Sequence, residues 1–289
     1  MAFLRLIRFK NLILLFLALI FTRFFYTKYN FIPLNFNTTS FWIFVFIILL
    51  IASAGNVVND LIDIKTDLIN KPEKVIINNL ISYDQGIKIY FFLNFVTFIL
   101  ASYISFKIYD FKLFITLVST VFILFFYSEF FKGIPLFGNI VIAFLAPAPI
   151  LILPYFDLPD SKIKTTILNT VFVIYTFGFL LNLIREIIKD IEDYKGDKQQ
   201  KINTFTVKYG KKKSIFLIRF LLVFTMILLQ ITIVYLFKTS PLSASYLFVL
   251  IQTPLLYIFL QITEKNTKKM SFTLKIIMLL GVFFVLLIR

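Results

Sequence analysis

The chain has 289 residues, 60% of them hydrophobic, and its 30 Lys and Arg against 15 Asp and Glu give a formal net charge of +15. It has no cysteine and no histidine, which excludes disulfides, thiol chemistry and the usual neutral-pH base and zinc ligand. A mean hydropathy of +0.90 is too apolar for a soluble globular domain, and the apolar residues come in long runs rather than alternating with polar ones.

Apolar runs of roughly 18 residues or more are read as membrane-spanning helices. In chain order the candidates cover about 12–26, 41–58, 87–106, 112–127, 137–153, 165–184, 214–236, 244–261 and 273–288. Several are short, so the expectation is an all-α integral membrane protein of nine transmembrane helices, with eight possible, in a single domain over 1–289. The first run is followed by Phe24, Phe25 and Tyr26 rather than by a small-residue cleavage site, so it is expected to be a retained helix. The 39 Phe read as compositional bias, and none is assigned a role.

The positive charge is unevenly placed. With a cytoplasmic N-terminus, most basic residues fall on the cytoplasmic side, from Arg5 and Arg8 through Lys65, Lys71, Lys74 and Lys132 to Lys265, Lys268, Lys269 and Lys275. Arg23, Lys28, Lys107, Lys112, Lys162, Lys164, Lys238 and Arg289 fall on the other. The positive-inside rule demands such a bias, so the charge needs the membrane as its partner and no nucleic acid. KYGKKKS (208–214) fits an ordinary orientation signal better than a headgroup site. The location implied is the inner, cytoplasmic membrane.

After the second run comes NDLIDIKTDLINKP (59–72). Asp60, Asp63 and Asp67 stand at i, i+3 and i+7, so a helix turning about 100° per residue would aim all three within roughly 60° of arc. Asn59 adds a neutral oxygen ligand. Carboxylates so grouped repel one another and are costly at a membrane boundary unless something cationic holds them. After the sixth run, REIIKDIEDYKGD (185–197) repeats the spacing with Asp190, Asp193 and Asp197, each 130 positions after its counterpart (60→190, 63→193, 67→197). One such triad could be a solvated helix end; two at one spacing and on one side point to a site. Mg²⁺ typically takes one or two carboxylates plus substrate phosphates. Two clusters facing one cavity therefore describe places for two Mg²⁺ ions and a polyanion between them.

YSEFFKGIPLFGN (127–139) lies between the motifs as a short cytoplasmic loop. Tyr127 and Lys132 are candidates to meet phosphate oxygens and Asn139 to face the cavity, although Tyr and Lys are also common interface anchors. Arg185 and Lys189 precede the second triad and are better placed for a diphosphate, Arg being suited to bidentate phosphate contacts.

Taken together, NDLIDIKTD with INKPEK, YSEFFKGIPLFGN, and KDIEDYKGD with INTFTVKYG resemble the UbiA-type intramembrane prenyltransferases, from about Arg8 to Gly210. The resemblance implies a nine-helix fold around a central cavity with a lateral opening to lipid. It also implies two Asp-rich motifs that bind Mg²⁺ and an isoprenyl diphosphate. Asn59, Asp60, Asp63 and Asp67 match the first motif, and Asp190, Asp193 and Asp197 the second. Tyr127, Lys132, Asn139, Arg185 and Lys189 match positions facing the diphosphate or the acceptor.

The wording of the second motif looks most like the archaeal-type ether-lipid branch, which moves a geranylgeranyl group onto the hydroxyl of geranylgeranylglyceryl phosphate. Two departures stand out. NKPEKV replaces the usual NKPxRP, with Lys74 for Arg, which keeps the charge and loses the planar fork; RFKN (8–11), beginning at Arg8, replaces RPxN. An aromatic acceptor, dihydroxynaphthoate or hydroxybenzoate, would use the same diphosphate machinery. A secondary transporter is the reading from another class, since it too uses intramembrane carboxylates and internal repeats. It would want acids in mid-helix, whereas these sit at helix ends on one side. No motif is legible in 214–289.

Overall fold

The computed structural model describes residues 1–28 and 33–288; Arg289, counted above on the non-cytoplasmic side, lies outside them. The helices are α1 (Ala2–Leu6), α2 (Phe9–Thr27), α3 (Thr38–Ile62), α4 (Ile64–Asn70), α5 (Tyr83–Lys107), α6 (Phe111–Glu129), α7 (Phe137–Leu145), α8 (Pro149–Asp157), α9 (Lys162–Gln199), α10 (Phe205–Tyr209), α11 (Lys211–Thr239), α12 (Pro241–Tyr246), α13 (Thr253–Gln261) and α14 (Thr267–Phe284). A π-helical turn, Leu247–Gln252, joins α12 to α13. Among the described residues the only strand-like pairing is an isolated bridge between Ile77 and Ile81. Among the described residues, eight helical stretches are long and apolar enough to cross a membrane, and α7–α8, bent by 43°, makes a ninth when read as one span.

Local chemistry explains the boundaries. Asn37 caps α3 by accepting from the Ser40 N–H, Ser82 and Gln85 form a reciprocal capping box on α5, and Ser161 and Thr204 cap α9 and α10. Each side-chain oxygen satisfies an N–H that has no partner inside its helix. The expected run 137–153 is broken because Pro147 and Pro149 remove two backbone donors and their rings clash with the preceding turn.

The run expected at 165–184 is only the middle of α9, a helix of 38 residues. At 1.5 Å per residue it is about 57 Å long, far beyond the ~30 Å hydrocarbon core. Its last turns therefore project from the bilayer, and these carry the second Asp motif.

Packing makes α9 the central pillar, in contact with α4, α7, α8, α10, α11 and α14. Its first half (Ile167, Val171, Tyr175) joins a core with Phe44, Ile47, Ile104, Leu117 and Leu153. The following turns (Ile184, Ile187, Ile188, Ile191) join a second core with Ile218, Leu222, Leu274 and Ile277. Phe91, Phe92 and Phe95 on α5 and Phe216 and Phe220 on α11 are exposed, as lipid-facing side chains are in a bundle whose exterior is as apolar as its core.

At the end of α3 away from the Asp motifs, Asp157 is fully buried. It accepts from the Tyr26 hydroxyl at 2.5 Å and from the Phe36 N–H at 2.8 Å, with Arg23 Nε at 3.7 Å. This cluster ties α2 and α8 to the segment before α3 and leaves the opposite end to open.

Candidate active site

The first Asp motif does not lie on one helix. α3 ends at Ile62, Asp63 occupies the break with φ −82° and ψ 2°, and α4 resumes at Ile64. The expectation that one helix face presents Asp60, Asp63 and Asp67 is corrected: they belong to α3, the break and α4 in turn. Short Asp side chains compete for backbone hydrogen bonds and favour such ends. The three are reunited because both elements face one cavity, which all three line.

In this structure the motif is balanced by cations of the chain itself. Arg8 Nη2 reaches Asp60 Oδ1 at 2.8 Å, although Arg8 sits in the left-handed region (φ 55°, ψ 51°) between α1 and α2. That conformation costs a non-glycine residue on the order of 1–2 kcal/mol. Lys132 Nζ stands 2.5 Å from Asp63 Oδ2, which also accepts from Asn59 Nδ2 at 2.7 Å. Burial and the neighbouring Asp63 carboxylate push the Asp67 carboxyl from its ordinary 3.8 up to about 6. Burial disfavours the Lys132 ammonium, yet Asp63, with Asp197 and Asp67 behind it, holds it above the usual lysine range.

The second motif does lie on one helix. Asp190, Asp193 and Asp197 all line the cavity from α9. Asn139 Nδ2 donates to Asp190 Oδ2 at 3.1 Å, but Asn139 is buried and is not among the lining residues. The expectation that it faces the cavity is corrected to a place behind Asp190, whose carboxylate it orients. Arg8, Asn59, Lys74, Tyr127, Lys132, Arg185 and Lys189 all line the cavity as expected.

Several contributors escaped the sequence reading. Glu186 is buried and holds Lys189 Nζ at 2.5 Å and Arg185 Nη1 at 3.3 Å, so the two cations expected to meet phosphate are fixed by a carboxylate beneath them. Its signal was present, because Glu186 precedes Asp190 by one helical turn. Lys71, inside the quoted INKPEK, places Nζ 2.5 Å from Asp193 Oδ1 and 3.9 Å from Glu192 Oε2, bridging the two motifs. Lys275, counted on the cytoplasmic side and inside the run 273–288, lies in α14 and lines the cavity.

The cavity measures about 1420 Å³, above the ~300–1,000 Å³ of ordinary ligand pockets. Its charged end holds the two motifs; Leu15, Ile48, Leu145, Ile174 and Val282 line its apolar part. Among the described residues no three carboxylates form a ready-made metal cage. The donor set suits Mg²⁺ nonetheless: the oxygens are hard, and Asp197 Oδ1 is buried without a hydrogen-bond partner. Such an oxygen is costly unless a cation meets it. A site completed by substrate phosphates needs only one or two carboxylates per ion.

The chain and its fold are similar to known proteins. The model of the UbiA prenyltransferase family matches residues 14–287. The chain is 27% identical over 206 residues to the digeranylgeranylglyceryl phosphate synthase of Methanosphaera stadtmanae, covering 71% of this chain and 70% of that one. Against the synthase of the same name from Korarchaeum cryptofilum it is 28% identical over 237 residues, covering 80% and 79%. Among solved structures, one of a digeranylgeranylglyceryl phosphate synthase superposes with a TM-score of 0.67 at 23% identity, covering 99% of this chain and 98% of that one. A UbiA homologue from Archaeoglobus fulgidus bound to GPP and Mg²⁺ superposes with a TM-score of 0.64 at 16% identity over the whole of both chains.

Proposed function

This chain belongs to the UbiA prenyltransferase family, and from that premise we propose that it transfers a geranylgeranyl group from its diphosphate to the free hydroxyl of geranylgeranylglyceryl phosphate, with Mg²⁺. The observation that carries the reading is the convergence of both Asp motifs on one cavity, charged at one end and apolar beyond it. A polar head and a long isoprenoid tail fit such a space together. The relatives named for this reaction support the choice of acceptor.

Asp60, Asp63 and Asp67 with Asn59, and Asp190, Asp193 and Asp197, would hold two Mg²⁺ ions. Bound there, the metal neutralises diphosphate charge and makes it a better leaving group. Arg185 and Lys189, held by Glu186, supply fixed positive charge where the leaving group gains negative charge. Arg185 Nε is buried with no partner, a donor available to a phosphate oxygen. The prenyl C1–O bond to diphosphate breaks, the acceptor oxygen bonds to C1, and the hydroxyl proton is released. Tyr127 offers an aromatic face to an allylic cation, and the apolar walls keep water from capturing it.

In the orientation that the charge bias favours, the motifs would face the cytoplasmic side of the cell membrane. The test is prenyl transfer by the purified protein with geranylgeranyl diphosphate, with and without Mg²⁺, against geranylgeranylglyceryl phosphate, dihydroxynaphthoate and hydroxybenzoate separately. Mg²⁺-dependent transfer to the glycerophosphate alone is expected. Transfer to an aromatic ring instead would keep the metal site and overturn the acceptor.

A further inference from the structure

Among the described residues, eight cations line the cavity: Arg5, Arg8, Lys71, Lys74, Lys132, Arg185, Lys189 and Lys275. Five of them are paired with carboxylates, Arg8 with Asp60, Lys71 with Asp193, Lys132 with Asp63, and Arg185 and Lys189 with Glu186. Among the described residues, Arg5, Lys74 and Lys275 have no carboxylate within ion-pair distance. Of these, Lys275 is the one inside a membrane span.

Lys275 sits in the third turn of α14, whose cavity side also presents Ser271, Met278 and Val282. The spacing of four, three and four residues puts these on one helix face. Lys268 and Lys269, at the start of α14, are not among the lining residues. A lysine within a span is costly unless it faces water or an anion, and it marks function by default. The surroundings sharpen the point. Lys275 shares the cavity with Lys74, Arg8 and Arg185. Arg8 and Arg185 are already held by Asp60 and Glu186, so the uncompensated positive charge of the lining rests on Arg5, Lys74 and Lys275. Mg²⁺ and the donor diphosphate would be gathered by the Asp motifs, which leaves the unpaired cations of the same cavity to a second anion.

We propose that Lys275, with Lys74 of the same cavity lining, binds the phosphate monoester head of the lipid acceptor and sets the preference for a phosphorylated acceptor. This deepens the proposed function and rests on it. The acceptor's chain would then follow α14 past Met278 and Val282 into the apolar part, with its free hydroxyl turned towards the Asp motifs. Neither Lys is expected to touch the reacting carbon.

The test uses the full chain in lipid nanodiscs, as wild type, Lys275→Met and Lys275→Arg, with two readouts. The first is steady-state transfer, resolving the KM of the donor from that of geranylgeranylglyceryl phosphate. The second is thermal stabilisation by geranylgeranylglyceryl phosphate, by phosphate-free geranylgeranylglycerol and by inorganic phosphate, each without donor. Loss of one charge-assisted contact predicts an acceptor KM raised about 10- to 100-fold in Lys275→Met. The donor KM should not follow, and Lys275→Arg should recover most of the effect. Stabilisation by the phosphorylated lipid should exceed that by geranylgeranylglycerol in the wild type and lose that excess in Lys275→Met.

A donor KM that rises in step with the acceptor's would move Lys275 to the diphosphate and overturn the proposal. So would equal stabilisation of wild type and Lys275→Met, or inorganic phosphate stabilising as well as the lipid. If the wild type binds the phosphorylated lipid through Lys275 yet never prenylates it, the acceptor reading fails while the anion subsite stands. If it prenylates that lipid and Lys275→Met does so identically, the subsite fails alone.

Discussion

Asn70 and Gly196 clasp the two halves of the site. The Gly196 N–H donates to Asn70 Oδ1 at 2.9 Å, and Asn70 Nδ2 donates to the Asp193 carbonyl at 2.9 Å. One amide, at the end of α4, thereby reads two backbone groups of α9 within the second Asp motif. The approach is so close that a Cβ built on Gly196 would stand 2.4 Å from Asn70 Nδ2 and 2.7 Å from the Thr66 carbonyl oxygen. The glycine is needed here for space.

Gly196→Ala should therefore push α4 from α9. A destabilisation of about 1–3 kcal/mol is expected for such overpacking, read as a lower unfolding temperature in detergent, together with a loss of transfer larger than the stability change explains. Asn70→Ala should cost about 1–3 kcal/mol through the unsatisfied backbone groups it leaves. An alanine at 196 with wild-type donor KM and turnover would mean that the clasp does not position the motifs.

Removal of single carboxylates tests the metal assignment. Asp63→Ala and Asp193→Ala are each expected to lower turnover by at least ~10²–10³-fold, the scale of losing one charge-stabilising group, while the protein still folds by circular dichroism. Mg²⁺-dependent activity retained in both would remove these residues from the site.

Asp67 makes a pH prediction. Its carboxyl is pushed up to about 6 by burial and by Asp63, so the metal-free folded protein binds a proton there that the unfolded chain has already lost. Between the ordinary 3.8 and about 6, stability without metal should fall as pH rises. Mg²⁺ must displace that proton, so its apparent affinity should weaken as pH falls through about 6. Mg²⁺ titrations at graded pH, in wild type and Asp67→Asn, would check this; an equal pH slope in both would assign the proton elsewhere.

Glu186 lies under two cations, and Glu186→Gln leaves Arg185 and Lys189 without their counter-charge. Breaking a buried pair from one side costs about 3–5 kcal/mol. The expected signature is a lower unfolding temperature that a diphosphate restores, by a larger increment than in wild type. An increment equal to that of wild type would separate these cations from the diphosphate.

Much of the molecule was legible from residue order because the signals are local. Eight or nine apolar runs announce the spans wherever they pack, and the matched Asp60/Asp63/Asp67 and Asp190/Asp193/Asp197 spacing announces a paired site. Tyr127, Lys132, Arg185 and Lys189 were expected near the motifs from their place in the chain, and they line the same cavity. What failed did so where a neighbour distant in sequence decides the outcome. Asn139 belongs behind Asp190 because α7 packs on α9, which its neighbours in sequence cannot reveal. Helical spacing could not foresee the break at Asp63.

The sequence alone determined that the chain spans a membrane, that its acids gather in two sets, and that the reaction must proceed without Cys or His. Hydropathy and composition are properties of the chain before it folds. Tertiary structure decided which cation meets which carboxylate, that Asn70 and Gly196 bring the two sets together, and that Lys275 enters the cavity. Ion pairing and close approach depend on distances of a few ångströms between residues far apart in sequence, such as Arg8 and Asp60 or Asn70 and Gly196, and only the packing of the helices sets those distances.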